Sequence, residues 1–142
     1  MTCIAWDGKT LAADKLLVSY GLKRTVTKIR RIGDLLVGGA GDFAEINEAM
    51  AWIERGRKIE DYPKRMSEKD ADSTLLVIES GEILIYGFSP IPSRYEDKTY
   101  AMGSGRDYAI TAMHLGKSAV EAVEIAIIFE SGCGNGVDEL TL

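Results

Sequence analysis

The beginning of the sequence carries the residue types that acyl-transfer chemistry needs. Thr2 follows Met1, and removal of the methionine, which a small second residue normally permits, would leave a threonine with a free α-amine. Such a residue holds both a hydroxyl nucleophile and its own base, because an α-amine has a pKa of about 7.7–8.0 and is partly neutral near pH 7. The alternative is an ordinary Met-Thr start without a catalytic role.

The residues after Thr2 predict a hairpin that would bring a carboxylate close to it. Residues 2–6 alternate as a strand, Asp7-Gly8 is typical of a tight turn, and residues 9–14 form the returning strand. Antiparallel partners that lie about equally far from a tight turn face each other. We therefore expect Asp14, at the far end of the return strand, to lie near Thr2.

Strands dominate the first forty residues, and the helices come later in blocks. The other predicted strands are residues 16–20, 24–32, 34–38, 73–79, 82–86, 98–103 and 137–142, so that five strands precede the first helix. The predicted helices are residues 42–55, 106–115 and 118–130, with a partly helical connector over 55–72 and a loop over 87–97. This order favours an α+β fold, in which two antiparallel sheets pack back to back with helices outside, in one domain of residues 1–142.

Composition and charge exclude several classes of function. The 142 residues carry a formal net charge of −5, and the only basic cluster is Lys28, Arg30 and Arg31, which argues against nucleic acid as a partner. A membrane span is not expected, because the most apolar helical stretch, residues 119–129, is interrupted by two glutamates and falls short of the roughly 20 residues that a bilayer requires.

Few residues are suited to metal or cofactor chemistry, and we expect neither group. The only histidine, His114, is expected to pack within a helix, and no Gly-Lys-Ser/Thr sequence follows the glycine clusters to form a phosphate loop. Cys3 and Cys133 are the only cysteines. They are expected to be small core residues of a protein in a reducing cytoplasm, since no secretory signal pattern is present.

Four blocks of this sequence resemble those of the proteasome-like N-terminal-nucleophile (Ntn) hydrolases, the family of proteasome β subunits and HslV. The blocks are the strand-turn-strand from Thr2 to Asp14, Val-Thr-Lys-Ile-Arg-Arg-Ile at 26–32, Gly-Gly-Ala-Gly-Asp at 38–42, and Ala-Met-Gly-Ser-Gly-Arg-Asp-Tyr-Ala at 101–109. They occur in the family's order and at compatible spacing over nearly the whole chain. The resemblance implies the four-layer αββα sandwich of that family.

The resemblance also implies a role for the residues around Thr2. Thr2 would supply the nucleophile and its amine base, and Lys28 would stabilise the alkoxide and keep the pKa of the amine low by like-charge repulsion. Asp14 would compensate the charge of Lys28 in a partly buried site. The alternative is that Lys28 and Asp14 are ordinary solvated strand ends.

Two further positions match residues of the family that lie close to the nucleophile. Gly38 matches the glycine whose backbone N–H stabilises the oxyanion, whereas the alternative is a turn that only needs a glycine for positive φ. Ser104 matches the serine that positions the amine and relays protons, and its alternative is a helix N-cap.

The resemblance departs from the family pattern near the end of the chain. Glu130 aligns with a family aspartate and Cys133 with a family serine, so the outer support of the site would come from a longer acid and from a thiol, which donates weakly. By the same alignment Val26, Arg30 and Asp42 would face the pocket that selects the substrate side chain.

The resemblance implies a threonine-type endopeptidase subunit that cleaves unfolded polypeptide through an acyl-enzyme ester on Thr2. It also implies a homo-oligomeric ring, with an ATP-dependent unfoldase as a candidate partner. Two alternatives stay open. One is an Ntn amidase that acts on a small-molecule amide, and the other is a non-catalytic scaffold or assembly protein, which a retained Met1 would favour because the amine would then be blocked.

Overall fold

Eleven strands and three α-helices are present in the computed structural model, which describes residues 1–142. The strands are β1 Ile4–Trp6, β2 Thr10–Asp14, β3 Leu16–Ser19, β4 Leu22–Thr25, β5 Ile29–Ile32, β6 Leu35–Ala40, β7 Thr74–Glu79, β8 Glu82–Tyr86, β9 Ser93–Tyr95, β10 Tyr100–Met102 and β11 Val137–Thr141. The helices are α1 Phe43–Glu54, α2 Arg106–His114 and α3 Ala119–Phe129, and a 3-10 turn spans Ile59–Asp61.

The strands form two antiparallel sheets and one small hairpin. The first sheet has the order β10-β1-β2-β11, and the second has the order β5-β6-β7-β8-β9. Strands β3 and β4 pair only with each other. In the first sheet Ile4 of β1 lies opposite Ala13 of β2, so the predicted tight hairpin brings the two ends of these strands together.

The two sheets pack face to face through a buried apolar layer. Large side chains from both sheets meet there, and the core members are Ile4, Trp6, Leu11, Ala13, Ile29, Leu36, Leu76, Ile78, Ile83, Ile85 and Met102. This layer forms because successive side chains of a strand point to opposite faces of the sheet, so that every second residue faces the other sheet.

Helices cover the outer face of each sheet. Val37, Leu75 and Val77 of the second sheet pack against Ile46 and Met50 of α1. Small side chains of the first sheet pack against α2 and α3, and this cluster includes Cys3, Ala5, Ala12, Ala101, Ala109, Ala122 and Ala126. The result is a four-layer αββα sandwich, which confirms the predicted α+β fold. None of the three helices has the length and apolar character to cross a membrane.

Several predicted elements differ from the structure. Residues 24–32, predicted as one strand, form parts of two strands, because the chain leaves the small hairpin after Thr25 and enters the second sheet at Ile29. Six strands therefore precede α1, and not five. A short strand, β9, lies inside the predicted loop, where its exposed residues show no apolar alternation. His114 is exposed at the last residue of α2 and is not packed as expected.

Candidate active site

Thr2 lies at the entrance to β1, in a buried position between the two sheets and the start of α2. The residue is 8% exposed. The Thr2 carbonyl accepts a hydrogen bond from the Gly105 N–H at 3.1 Å, and the Thr2 N–H donates to Ser104 Oγ at 3.2 Å. The backbone around Ser104 therefore fixes Thr2 from one side, and its hydroxyl is left to face the other.

Lys28 faces the hydroxyl of Thr2. Its ammonium donates to Thr2 Oγ1 at 3.3 Å, to Asp14 Oδ1 at 2.9 Å and to the Met1 carbonyl at 3.0 Å. Lys28 is 5% exposed, and its position follows from the junction between β4 and β5, where the chain crosses into the second sheet. A buried ammonium this close to a hydroxyl stabilises an alkoxide that forms there, because the low dielectric strengthens the interaction.

Asp14 is the most completely satisfied group of the site. Its carboxylate is fully buried and accepts four hydrogen bonds, from the Cys3 N–H at 2.9 Å, Lys28 Nζ at 2.9 Å, the Leu16 N–H at 3.2 Å and the Gly134 N–H at 3.0 Å. These donors come from the residue before β1, the start of β3, the residue before β5 and the loop before β11. Asp14 thus joins four segments of the chain around Thr2, and neither Asp14 nor Lys28 is a solvated strand end.

Ser104 and Cys133 lie together behind the Thr2 nitrogen. The Cys133 sulfur is 4.0 Å from Ser104 Oγ, and Gly105, not Ser104, is the N-cap of α2. Burial and then the charge of Asp14 raise the pKa of the Cys133 thiol to about 11. Burial also raises the pKa of the Cys3 thiol to about 12. Both cysteines are therefore neutral thiols near pH 7, and neither is a thiolate nucleophile.

Glu130 makes no hydrogen bond to Thr2. It is the C-cap of α3, and its side chain accepts a hydrogen bond from the Gly132 N–H at 3.1 Å. The carboxylate thus closes the loop that carries Cys133 and does not contact Thr2. Met1 packs on the same loop, since a Cβ built on Gly132 would overlap the methionine side chain.

Gly38 is in the middle of β6, next to Lys28 in space. A Cβ built there would lie 2.9 Å from Ile29 Cγ2 and 3.1 Å from Ile4 Cδ1, so the packing between the sheets leaves no room for a side chain. Gly38 does not have a positive φ, and the alternative of a glycine required by a turn is wrong. Glycine is needed here for close approach.

A pocket opens beside Thr2 and Lys28, between β6 and α1. Its wall includes Gly39 and Gly41, and one face of α1 supplies Phe43, Ile46, Asn47 and Met50. Lys28 is the only charged residue of the lining, and Met1 also borders the pocket. The pocket is suited to an uncharged side chain that lies next to the hydroxyl of Thr2.

Three residues predicted to face this pocket are not part of its lining. Val26 precedes the lining residue Thr27, and the Arg30 guanidinium reaches the pocket only through Asn47, at 3.4 Å. Asp42 turns away from the pocket and caps α1, where its side chain accepts a hydrogen bond from the Glu45 N–H at 3.0 Å. Thr27 and Phe43, the residues that follow Val26 and Asp42, line the pocket instead.

The lining residues on α1 were missed from the sequence, although a signal for them exists. Residues 43, 46, 47 and 50 have the i, i+3, i+4, i+7 spacing of one helix face, and Asn47 is the polar member of an otherwise apolar stripe. In the structure this polar position borders the pocket.

A known protein is similar to this chain in sequence. The chain is 31% identical over 130 residues to the ATP-dependent protease subunit HslV of Pseudothermotoga lettingae, with 77% of this chain and 72% of the relative covered. No family model matches the sequence.

Solved structures share the fold across the full chain. Thiobacillus denitrificans BPH, in its complex with epoxomicin, superposes with a TM-score of 0.75 at 20% identity and covers 100% of this chain and 98% of its own. Eukaryotic HslV from Trypanosoma brucei superposes with a TM-score of 0.70 at 20% identity, covering 98% of this chain and 97% of its own. At this level of identity the structures support the four-layer fold.

Proposed function

The chain belongs to the HslV family of protease subunits, and from this premise we propose that Thr2 is the nucleophile of a threonine-type endopeptidase once the Met1–Thr2 bond is cleaved. The observation that carries this proposal is the Lys28 ammonium, 3.3 Å from Thr2 Oγ1 and 2.9 Å from the buried carboxylate of Asp14. After cleavage, Thr2 carries both the hydroxyl and the N-terminal nitrogen, and the Lys28 cation lies beside them.

Acyl transfer begins with a proton transfer within Thr2. The neutral α-amine takes the Oγ1 proton, directly or through a water, and Oγ1 attacks the carbonyl carbon of the substrate peptide. Lys28 stabilises the negative charge on Oγ1 before the C–O bond forms. The resulting ammonium of Thr2 returns the proton to the departing amine as the C–N bond breaks, which leaves an ester on Thr2 that water hydrolyses.

The other predicted site residues take supporting roles in this proposal. The backbone N–H at Gly38 binds the oxyanion, a contribution worth about 2.7–4 kcal/mol for one donor in well-studied acyl-transfer enzymes. Ser104 positions the amine, since its Oγ already lies 3.2 Å from the Thr2 nitrogen. Cys133 and Glu130 support Ser104 from the loop behind it, and Arg30 reaches the rim of the substrate pocket through its hydrogen bond to Asn47.

A retained Met1 would block this chemistry in two ways. Its carbonyl occupies one donor direction of the Lys28 ammonium at 3.0 Å, and its side chain borders the pocket beside Thr2. In addition, the nitrogen of Thr2 would be an amide without basic character. Cleavage of the Met1–Thr2 bond therefore frees the base and opens the pocket together.

We further propose that the substrate is unfolded polypeptide and that copies of this chain assemble into a ring in the cytoplasm. Support for self-association comes from the β3–β4 hairpin, where Val18, Tyr20 and Leu22 are 48%, 102% and 54% exposed. Free thiols at Cys3 and Cys133 are typical of a reducing compartment. The Pseudothermotoga lettingae relative is named an ATP-dependent protease subunit, which supports an ATP-dependent unfoldase as the partner.

Hydrolysis of a fluorogenic peptide by purified protein tests the proposal. Thr2→Ala should abolish hydrolysis while the oligomer, measured by size-exclusion chromatography, stays intact. Thr10→Ala is a matched control, because that hydroxyl meets only Thr141 on the surface. Equal hydrolysis by Thr2→Ala and Thr10→Ala would refute the role of Thr2. Cleavage of simple amides but not of peptides would favour an amidase, and no hydrolysis by any processed chain would favour a scaffold.

A further inference from the structure

A buried polar pair lies on the opposite side of the pocket wall from Thr2. Ser73, just before β7, is 4% exposed, and Glu45, in the first turn of α1, is 8% exposed. The Ser73 hydroxyl donates to Glu45 Oε2 at 2.5 Å and accepts a hydrogen bond from the Asp42 N–H at 3.1 Å. Neither side chain contacts Thr2 or Lys28, so the catalytic mechanism does not explain them.

The turn held by this pair borders the substrate pocket. Gly41 has a φ of +129° and lines the pocket together with Gly39. A Cβ built on Gly41 would overlap Ser73, so the turn rests directly on the serine with no side chain between them. Removing the Ser73 hydroxyl would leave the Asp42 N–H without its acceptor and would open space under Gly41.

The carboxylate of Glu45 is fully satisfied by its neighbours. One oxygen accepts from Ser73, and the other accepts from Arg65 Nη2 at 3.1 Å and from Arg65 Nε at 3.3 Å. Arg65 is 66% exposed and contributes little, because solvent screens surface ion pairs. The buried bond between Ser73 and Glu45 is the one that fixes geometry, since a satisfied buried network rigidifies what it joins.

We propose that Ser73 and Glu45 are positioning residues for substrate binding, which rests on the proposed peptidase function. They hold the Gly41 turn in place, and this turn forms part of the pocket wall that contacts the substrate. Thr2, Lys28 and Asp14 are held by separate contacts, so loss of the pair weakens substrate binding and leaves the chemical step intact. The expected signature is a raised KM with little change in kcat.

Steady-state hydrolysis of a peptide substrate by four variants tests this proposal. Ser73→Ala and Glu45→Ala should each raise KM about tenfold while kcat stays within about twofold of the wild type, as loss of a buried hydrogen bond from the pocket wall implies. Glu45→Gln should keep a KM close to that of the wild type, because the amide oxygen still accepts a hydrogen bond from Ser73. Ser67→Ala is the matched control on the same connector, where the exposed hydroxyl meets only the Lys64 carbonyl.

The outcomes separate this proposal from the one on which it rests. A wild-type chain that hydrolyses no peptide would refute the peptidase function itself. An active wild type whose KM is the same as that of Ser73→Ala would overturn the positioning role alone. The role is also overturned if kcat falls and KM does not change, if Glu45→Gln behaves as Glu45→Ala does, or if neither alanine variant folds, since the pair would then be purely structural.

Discussion

Replacement of Asp14 by asparagine should remove much of the stability of this fold together with its activity. The carboxylate accepts two hydrogen bonds on each oxygen, Cys3 N–H and Lys28 Nζ on Oδ1, and Leu16 N–H and Gly134 N–H on Oδ2. An amide has a single oxygen. Whichever way it is turned, two donors would face its NH2 group, and the buried Lys28 ammonium would lose its counter-charge.

The magnitude follows from these contacts. A hydrogen bond to a charged group is worth about 1.5–3 kcal/mol, and removing one partner of a buried ion pair costs about 3–5 kcal/mol. These two estimates describe the same contacts and do not add, so we expect Asp14→Asn to lower the free energy of unfolding by about 3–5 kcal/mol. This loss is a large share of the free energy of unfolding of a typical domain, which is about 5–15 kcal/mol.

Urea unfolding followed by tryptophan fluorescence measures this loss, because Trp6 and Trp52 are fully buried. Asp138→Asn is the matched control. Its partner Lys15 lies at 2.6 Å, but the two side chains are 31% and 21% exposed, so removal of this surface pair should cost less than about 1 kcal/mol. Equal unfolding free energies for the two asparagine variants would refute the view that Asp14 joins the segments around Thr2.

Further predictions concern the thiol, a glycine and a helix cap. The pKa of Cys133 is raised from 9.0 to about 11 in the fold. Its contribution to stability is therefore complete below pH 9 and should be lost as the pH rises through 11. Between pH 8 and pH 11 the urea midpoint should fall less for Cys133→Ala than for the wild type. Gly103→Ala should abolish peptide hydrolysis, because its Cβ would overlap Thr2, whereas Gly81→Ala, which has a similar φ and open space, should stay active. Ser118→Ala should lower the free energy of unfolding by about 1 kcal/mol, measured by urea titration, because it breaks the capping box of α3, and an unchanged value would show that the cap contributes nothing.

Local patterns were enough to predict most of the helices and strands and the position of Asp14 near Thr2. The hairpin after Thr2 has a clear turn signal, so register alone places Asp14 near it, and the structure pairs Ile4 with Ala13 as that register requires. The capping box at Ser118 and Glu121 is local in the same sense, since both groups lie within one helical turn.

Contacts between distant segments could not be predicted from such patterns. The Gly134 N–H reaches Asp14 across 120 residues, and a backbone donor has no signature in the sequence. The split of residues 24–32 was also hidden, because β propensity continues through the junction and does not reveal which strand each half pairs with. The role of Lys28 was predicted from the family resemblance alone, because a lysine in a strand pattern has no signature of a catalytic position.

The proposed chemistry requires a free nitrogen on Thr2 that activates its own hydroxyl beside Lys28. Its most direct test is to purify the chain with Met1 retained, remove the methionine with an aminopeptidase, and follow intact mass and peptide hydrolysis in the same samples. We expect hydrolysis to be absent at the start and to rise in proportion to the fraction of chains that begin with Thr2. Full hydrolysis by the chain that still carries Met1 would rule out this role of the Thr2 nitrogen.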